Sequence, residues 1–83
     1  MTESHAPMHR YVVRGGRDAQ FPLRVFNLFA QQALLVEEFR VTTDGDEYAI
    51  DITIDALSET GGAIILEKLR AMVLVDSAHC EIG

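Results

Sequence analysis

The sequence is short of almost everything that would announce a chemistry. In 83 residues it holds one cysteine, two prolines and no tryptophan. A single cysteine forms no internal disulfide, and the start Met1-Thr2-Glu3-Ser4-His5-Ala6-Pro7 has neither the basic nor the apolar region of a secretory signal, so a cytoplasmic location is expected. Long apolar runs are missing too. The run Ala33-Leu34-Leu35-Val36 falls far short of the roughly 20 residues that span a bilayer, and no membrane association is expected. Basic residues are scarce: seven Lys and Arg against thirteen Asp and Glu give a net charge of −6, which repels phosphate backbones and argues against a nucleic-acid partner. Yet Arg10, Arg14, Arg17 and Arg24 all lie within the first 24 positions, so a local anion site stays open there.

What is present is a hydrophobic fraction of 48%, too high for disorder. A chain of this length makes one small domain that buries only ~60% of its unfolded surface, so a partner would add useful stability. Residues 1–8 are polar, contain Pro7 and show no period, and read as a flexible tail before a domain over 9–83. Tyr11 and Val13 alternate with Arg10 in a first strand that Gly15-Gly16 ends. Pro22 suits the first position of a helix carrying Val25, Leu28, Phe29 and Gln32 on one face, widened by Phe26 and Ala33. Leu34 to Thr43 forms a second strand whose apolar parity slips across Glu37-Glu38, as a β-bulge would require. Asp44-Gly45-Asp46-Glu47 is a turn, and Tyr48 to Asp55 alternates strictly, isoleucines on one face and Asp or Thr on the other. Ser58 or Thr60 caps a second helix with Gly62, Ile65, Leu66, Leu69 and Met72 on one side. Gly61 and Gly62 mark its first turn or a close contact with the sheet. Ser77 to Ile82 closes the chain as a strand. The order βαββαβ predicts an α+β, ferredoxin-like fold: a four-stranded antiparallel sheet with both helices on one face.

Candidate chemistry is thin. His79 and Cys80 are neighbours in a strand and point to opposite faces, and His5 and His9 sit in or beside the tail, so neither a metal site nor a cofactor is expected. Cys80 has no assignable base and reads as a core residue. The acidic set Asp44, Asp46, Glu47, Asp51 and Asp55 lacks the spacing of a calcium loop and reads as a solvated face. The stretch Arg14 to Gln20 invites comparison with acylphosphatases, which share this element order and use a glycine-containing loop with a phosphate-binding arginine. They also need an asparagine on the middle hairpin to orient water. The only asparagine here, Asn27, lies in the first helix. No catalytic set is assembled, and the chain is not expected to be an enzyme.

The element order, the polar strand-to-helix loop and the stretch Arg24-Val25-Phe26-Asn27-Leu28-Phe29-Ala30-Gln31-Gln32-Ala33 resemble an ACT domain. Leu23 to Phe39 and Leu66 to Val73 are similar to the small regulatory subunit of acetolactate synthase, with its pattern S-R-V-x-x-L-F-x-x-R-G-Y-N-I-E-S-L and its later K-L-V-x-V. The resemblance implies an amino-acid effector, a branched-chain one in that family, held by Gly15, Gly16, Arg17, Asp18, Ala19, Gln20 and Leu35. It also implies a homodimer through the 34–43 edge strand and a catalytic enzyme subunit regulated in trans. Two positions depart from the family: its loop glycine falls on Gln20, and the asparagine opening its second strand falls on Leu35. A structural module that dimerises or supports a partner without an effector is the alternative.

Overall fold

The computed structural model describes residues 8–55 and 58–82. The expected tail lies outside them except for Met8, which is exposed. Six elements follow in order: β1 (His9–Gly16), α1 (Gln20–Gln31), β2 (Val36–Asp44), β3 (Glu47–Ile54), α2 (Glu59–Arg70) and β4 (Val75–Ile82). They build the expected βαββαβ fold, an antiparallel sheet in the order β2-β3-β1-β4.

Alternation divides the sheet into two unlike faces. Ile50, Ile52 and Ile54 of β3 join Tyr11 and Val13 of β1 and Ala78 of β4 in one core with Phe21, Val25 and Phe29 of α1 and Ile65 and Leu69 of α2. Each large aliphatic or aromatic side chain so buried contributes about 1.5–3 kcal/mol. The opposite face is laced with charge. Arg10 bridges Asp51 of β3 at 2.6 Å and Glu81 of β4 at 3.1 Å, and Arg14 bridges Glu47 at 3.2 Å as well as Asp44. Two of the four early arginines are therefore engaged by carboxylates and do not form an anion site. His9, beside the expected tail, opens β1 at the domain boundary expected from the sequence; it shares the parity of Tyr11 and Val13, and its ring is fully buried.

Both helices start where local chemistry caps them. In α2 the Ser58 hydroxyl accepts the Gly61 amide at 3.0 Å. A Cβ on Gly62 would stand 2.8 Å from the His9 ring, and the Gly62 carbonyl accepts the Tyr11 hydroxyl at 3.0 Å, so the missing side chain lets the first turn of α2 rest on β1. Helix α1 starts two residues earlier than expected, at Gln20, with Pro22 as its third residue. The first four amides of a helix have no intrahelical acceptor, so proline is tolerated throughout that turn and Phe21 stays helical.

The second strand starts two residues late. Ala33 adopts φ +57°, and Ala33 and Leu34 return their amides to Ala30 and Phe29, a reversal that uses both residues to end α1. Leu34 then packs against the core and pairing begins at Val36. The bulge is where parity places it, between Val36 and Glu38, and it returns Phe39 and Val41 to the helix side opposite Ile52 and Ile50. Gly45 at φ +62° occupies the first central position of the following turn, where a side chain would be strained.

Gly15 and Gly16 are the last two residues of β1, still paired with β3, and do not break the strand with a positive φ. A Cβ on Gly15 would lie 2.2 Å from the Leu74 carbonyl oxygen and 2.7 Å from the Phe21 ring, whereas one on Gly16 would meet nothing within 4 Å. Gly15→Ala is expected to destabilise the fold by about 1–3 kcal/mol, and Gly16→Ala to change it by less than about 1 kcal/mol. Ala33→Gly should add about 1 kcal/mol. Urea midpoints at unchanged m-value test all three; equal effects at Gly15 and Gly16 would contradict the close approach at Gly15.

Candidate functional site

The strand-to-helix loop gathers six of the seven expected residues at one end of the sheet, where Gly16 pairs with Glu47. Their roles differ. Gly15 is buried and serves packing. Gly16 is half-buried, its carbonyl accepting the Asp18 amide at 2.9 Å. Arg17 reaches across to the β2–β3 turn, where it donates to the Gly45 carbonyl at 3.3 Å with its guanidinium 5.9 Å from the centre of the Tyr48 ring. Ala19 and Gln20 are exposed at the start of α1.

Asp18 organises the loop. One of its carboxylate oxygens accepts the Gln20 amide at 2.8 Å, and its carbonyl accepts the Phe21 amide at 2.9 Å. A helix N-terminus offers free amides and partial positive charge to an anion, and here a carboxylate of the chain itself takes that position. An incoming carboxylate at Gln20 competes with it. Sequence reading placed Asp18 in the site but missed this role, although an aspartate two residues ahead of a helix is itself a capping signal.

Leu35 is elsewhere. It precedes β2, whose first residue pairs with Ile54 at the other end of β3, and the 12-residue α1 separates it from the loop by roughly 18 Å. There Leu35 is 81% exposed and lines a cleft of about 280 Å³ with Ala33, Leu34, Glu37 and Asp55. Within one chain the loop and Leu35 do not meet. Between these two ends runs an apolar flank. Phe26 packs edge-on against Phe39 at 5.1 Å, and Leu23, Phe26 and Val41 stay substantially exposed beside the unpaired edge of β2.

Reactive groups are muted. Cys80 faces Tyr11 in the β1–β4 register, and burial pushes both the Tyr11 phenol and the Cys80 thiol above their ordinary values, so both are neutral near pH 7. A neutral, half-buried thiol is a poor nucleophile. Among the described residues no group of three or more His, Cys, Asp or Glu is placed to hold a metal ion, and no helix is long and apolar enough to cross a membrane.

What the loop presents is a helix-start amide, that of Gln20, engaged by the carboxylate of Asp18 from the same chain. The family model described as an ACT-like domain matches residues 2–82, and the chain belongs to that family of regulatory, small-molecule-binding modules. No curated protein matches the sequence. Among solved structures the chain is similar to the ACT domain of GTP pyrophosphokinase from Chlorobium tepidum, at 8% identity over 94% of this chain and 100% of that one, with a TM-score of 0.80. The C-terminal domain of the MgtC protein from Mycobacterium tuberculosis is similar at 9% identity over 100% and 94%, with a TM-score of 0.74. Aspartokinase III from E. coli, in complex with lysine and aspartate, is similar at 18% identity over 100% of this chain and 20% of that one, with a TM-score of 0.52. These likenesses establish the fold.

The Tyr11–Cys80 pair generates a pH prediction. The folded state holds both protons to higher pH than the unfolded chain, whose thiol and phenol ionise near 8.5 and 10. Stability is therefore level below about pH 8 and falls as pH rises through those values, by up to about 1.4 kcal/mol per pH unit from Tyr11. Thermal melts from pH 7 to 11 should show the fall, and Tyr11→Phe should flatten its upper part. An unchanged slope in that variant would assign the alkaline loss to other groups.

Proposed function

We propose that this chain is an amino-acid-sensing regulatory module that works as a homodimer and acts in trans on a biosynthetic enzyme; the resemblance of Leu23 to Phe39 points to acetolactate synthase. The observation that supports the reading is that the loop and Leu35 lie at opposite ends of one chain's sheet, so that a single effector site would have to be split between two copies. In a two-fold pairing of β2 edges the strands run antiparallel, so the start of one β2 lies beside the end of the other. The loop lies at the Asp44 end of its own sheet, and such pairing brings Leu35 and Glu37 of the partner subunit toward it. The exposed flank of Leu23, Phe26 and Val41 would be covered in the same step, which suits a domain with so small a core.

The completed site matches a zwitterion. Its carboxylate takes the α1 amides in place of Asp18, its ammonium faces Glu37 of the partner subunit, and its side chain meets Leu35 of the partner subunit. Binding is weak in this reading, because the ligand displaces an internal carboxylate and Gln20 covers amides that glycine would leave bare. The engaged Asp18 also favours the second reading, a structural ACT-like module that dimerises and senses nothing.

Titration of the labelled protein with valine, leucine or isoleucine separates the two. The sensing reading predicts millimolar, saturable shifts of the 16–20 amides, tighter binding in Gln20→Gly, and loss of both dimer and binding in Val41→Lys. A dimer whose loop amides stay still in the wild type and in Gln20→Gly would leave the structural reading, and a monomer at tens of micromolar would remove the proposed interface.

A further inference from the structure

Of the four early arginines, Arg10 and Arg14 hold carboxylates and Arg17 holds the β2–β3 turn. Arg24 differs from them. It makes no hydrogen bond, ion pair or ring contact with another described residue, although the chain carries thirteen carboxylates. Its place in α1 explains this: residues 24, 27 and 31 share one side of the helix, turned away from Phe26 and toward Met72 beyond the end of α2. They line a cleft of about 280 Å³ formed by Arg24, Asn27, Leu28, Gln31 and Met72. The side chains of Asn27 and Gln31 are likewise without hydrogen bonds to other described residues.

We propose that this cleft is a second ligand site, separate from the strand-to-helix loop, that takes a small aliphatic carboxylate. The composition of its wall selects that class. A single guanidinium matches one negative charge in a fork geometry suited to a carboxylate, and in a protein of net charge −6 one cation is a poor match for a phosphate dianion. The amides of Asn27 and Gln31 offer further donors to the same oxygens. Leu28 and Met72 are half-buried and packed against the core, and they supply an apolar wall for a short hydrocarbon tail. The cleft is open to solvent along one side, so a head group and a short branched tail can lie along it without being enclosed. Because the cleft lies on the α2 side of α1, opposite the Phe26 flank, it stays open whether or not the β2 edges pair.

The test is titration of the full chain with isovalerate, read at the Arg24 Nε–H, the Asn27 and Gln31 side-chain amides and the Met72 methyl. Saturable shifts with a dissociation constant on the order of 1 mM are expected, as a few contacts sustain. Isovaleramide, which keeps the tail and loses the charge, should bind at least about tenfold more weakly, and inorganic phosphate should not saturate the same signals. Arg24→Gln, on an exposed position whose spectrum elsewhere should be unchanged, should abolish the isovalerate shifts. Equal binding of isovaleramide or phosphate, retained binding in Arg24→Gln, or shifts confined to residues 16–20 would overturn the proposal. The last outcome would leave the loop reading intact, and silence at the loop with shifts at Met72 would do the reverse.

Discussion

The structure depends on how closely the central strand admits both helices. Strand β1 lies between β3 and β4, and its inward face carries His9, Tyr11 and Val13 and then the bare Cα of Gly15. Tyr11 anchors the Gly62 carbonyl of α2, while the bare Cα of Gly15 makes room for Phe21 of α1 and for the Leu74 carbonyl. Those two contacts set the height of the helical layer above the sheet. Everything at the loop end follows from the second one: with Phe21 seated over Gly15, the first amides of α1 stand just beyond the strand, where Asp18 meets them. Gly15, expected in a ligand cradle, is placed as a packing residue, and the amide that meets a carboxylate lies five residues further on, at Gln20.

The same geometry leaves one side of the domain unfinished. The bulge at Glu37 turns Phe39 and Val41 inward, but α1 covers that edge of the sheet only in part. An edge strand with apolar groups beside unpaired backbone is a surface that a second copy covers well. Glu38 and Arg40 face the other way and pair with each other. The two readings of function differ only in whether the space beside that seam receives a ligand, and the Asp18 carboxylate on the α1 amide is the group that weighs between them.

Much of this was legible in the sequence, for identifiable reasons. The isoleucine alternation of β3, the parity slip across Glu37-Glu38 and the helical spacing of Gly62, Ile65 and Leu69 are periodic signals, and each appears in the structure as expected. What was not legible rests on single contacts. Pro22 gives no unique start for α1, because proline suits any of its first positions. The late start of β2 comes from Ala33 in a left-handed conformation, where glycine would have announced the turn. His9 was read as the start of the first strand, but not its full burial, which parity with Tyr11 and Val13 implies. The role of Gly15 needs the Leu74 carbonyl, which comes from the far end of the chain. The separation of Leu35 from the loop is a consequence of topology, invisible until the length of α1 is laid between them.

The split site is the central claim, and isotope-filtered NMR on a mixture of differently labelled copies tests it most directly. The account predicts intermolecular contacts between the Leu35 methyl groups of one copy and the Gly16 to Gln20 amides of the other. Intermolecular contacts mapping instead to the outer sheet face or to α2, with none between Leu35 and the loop, would contradict it.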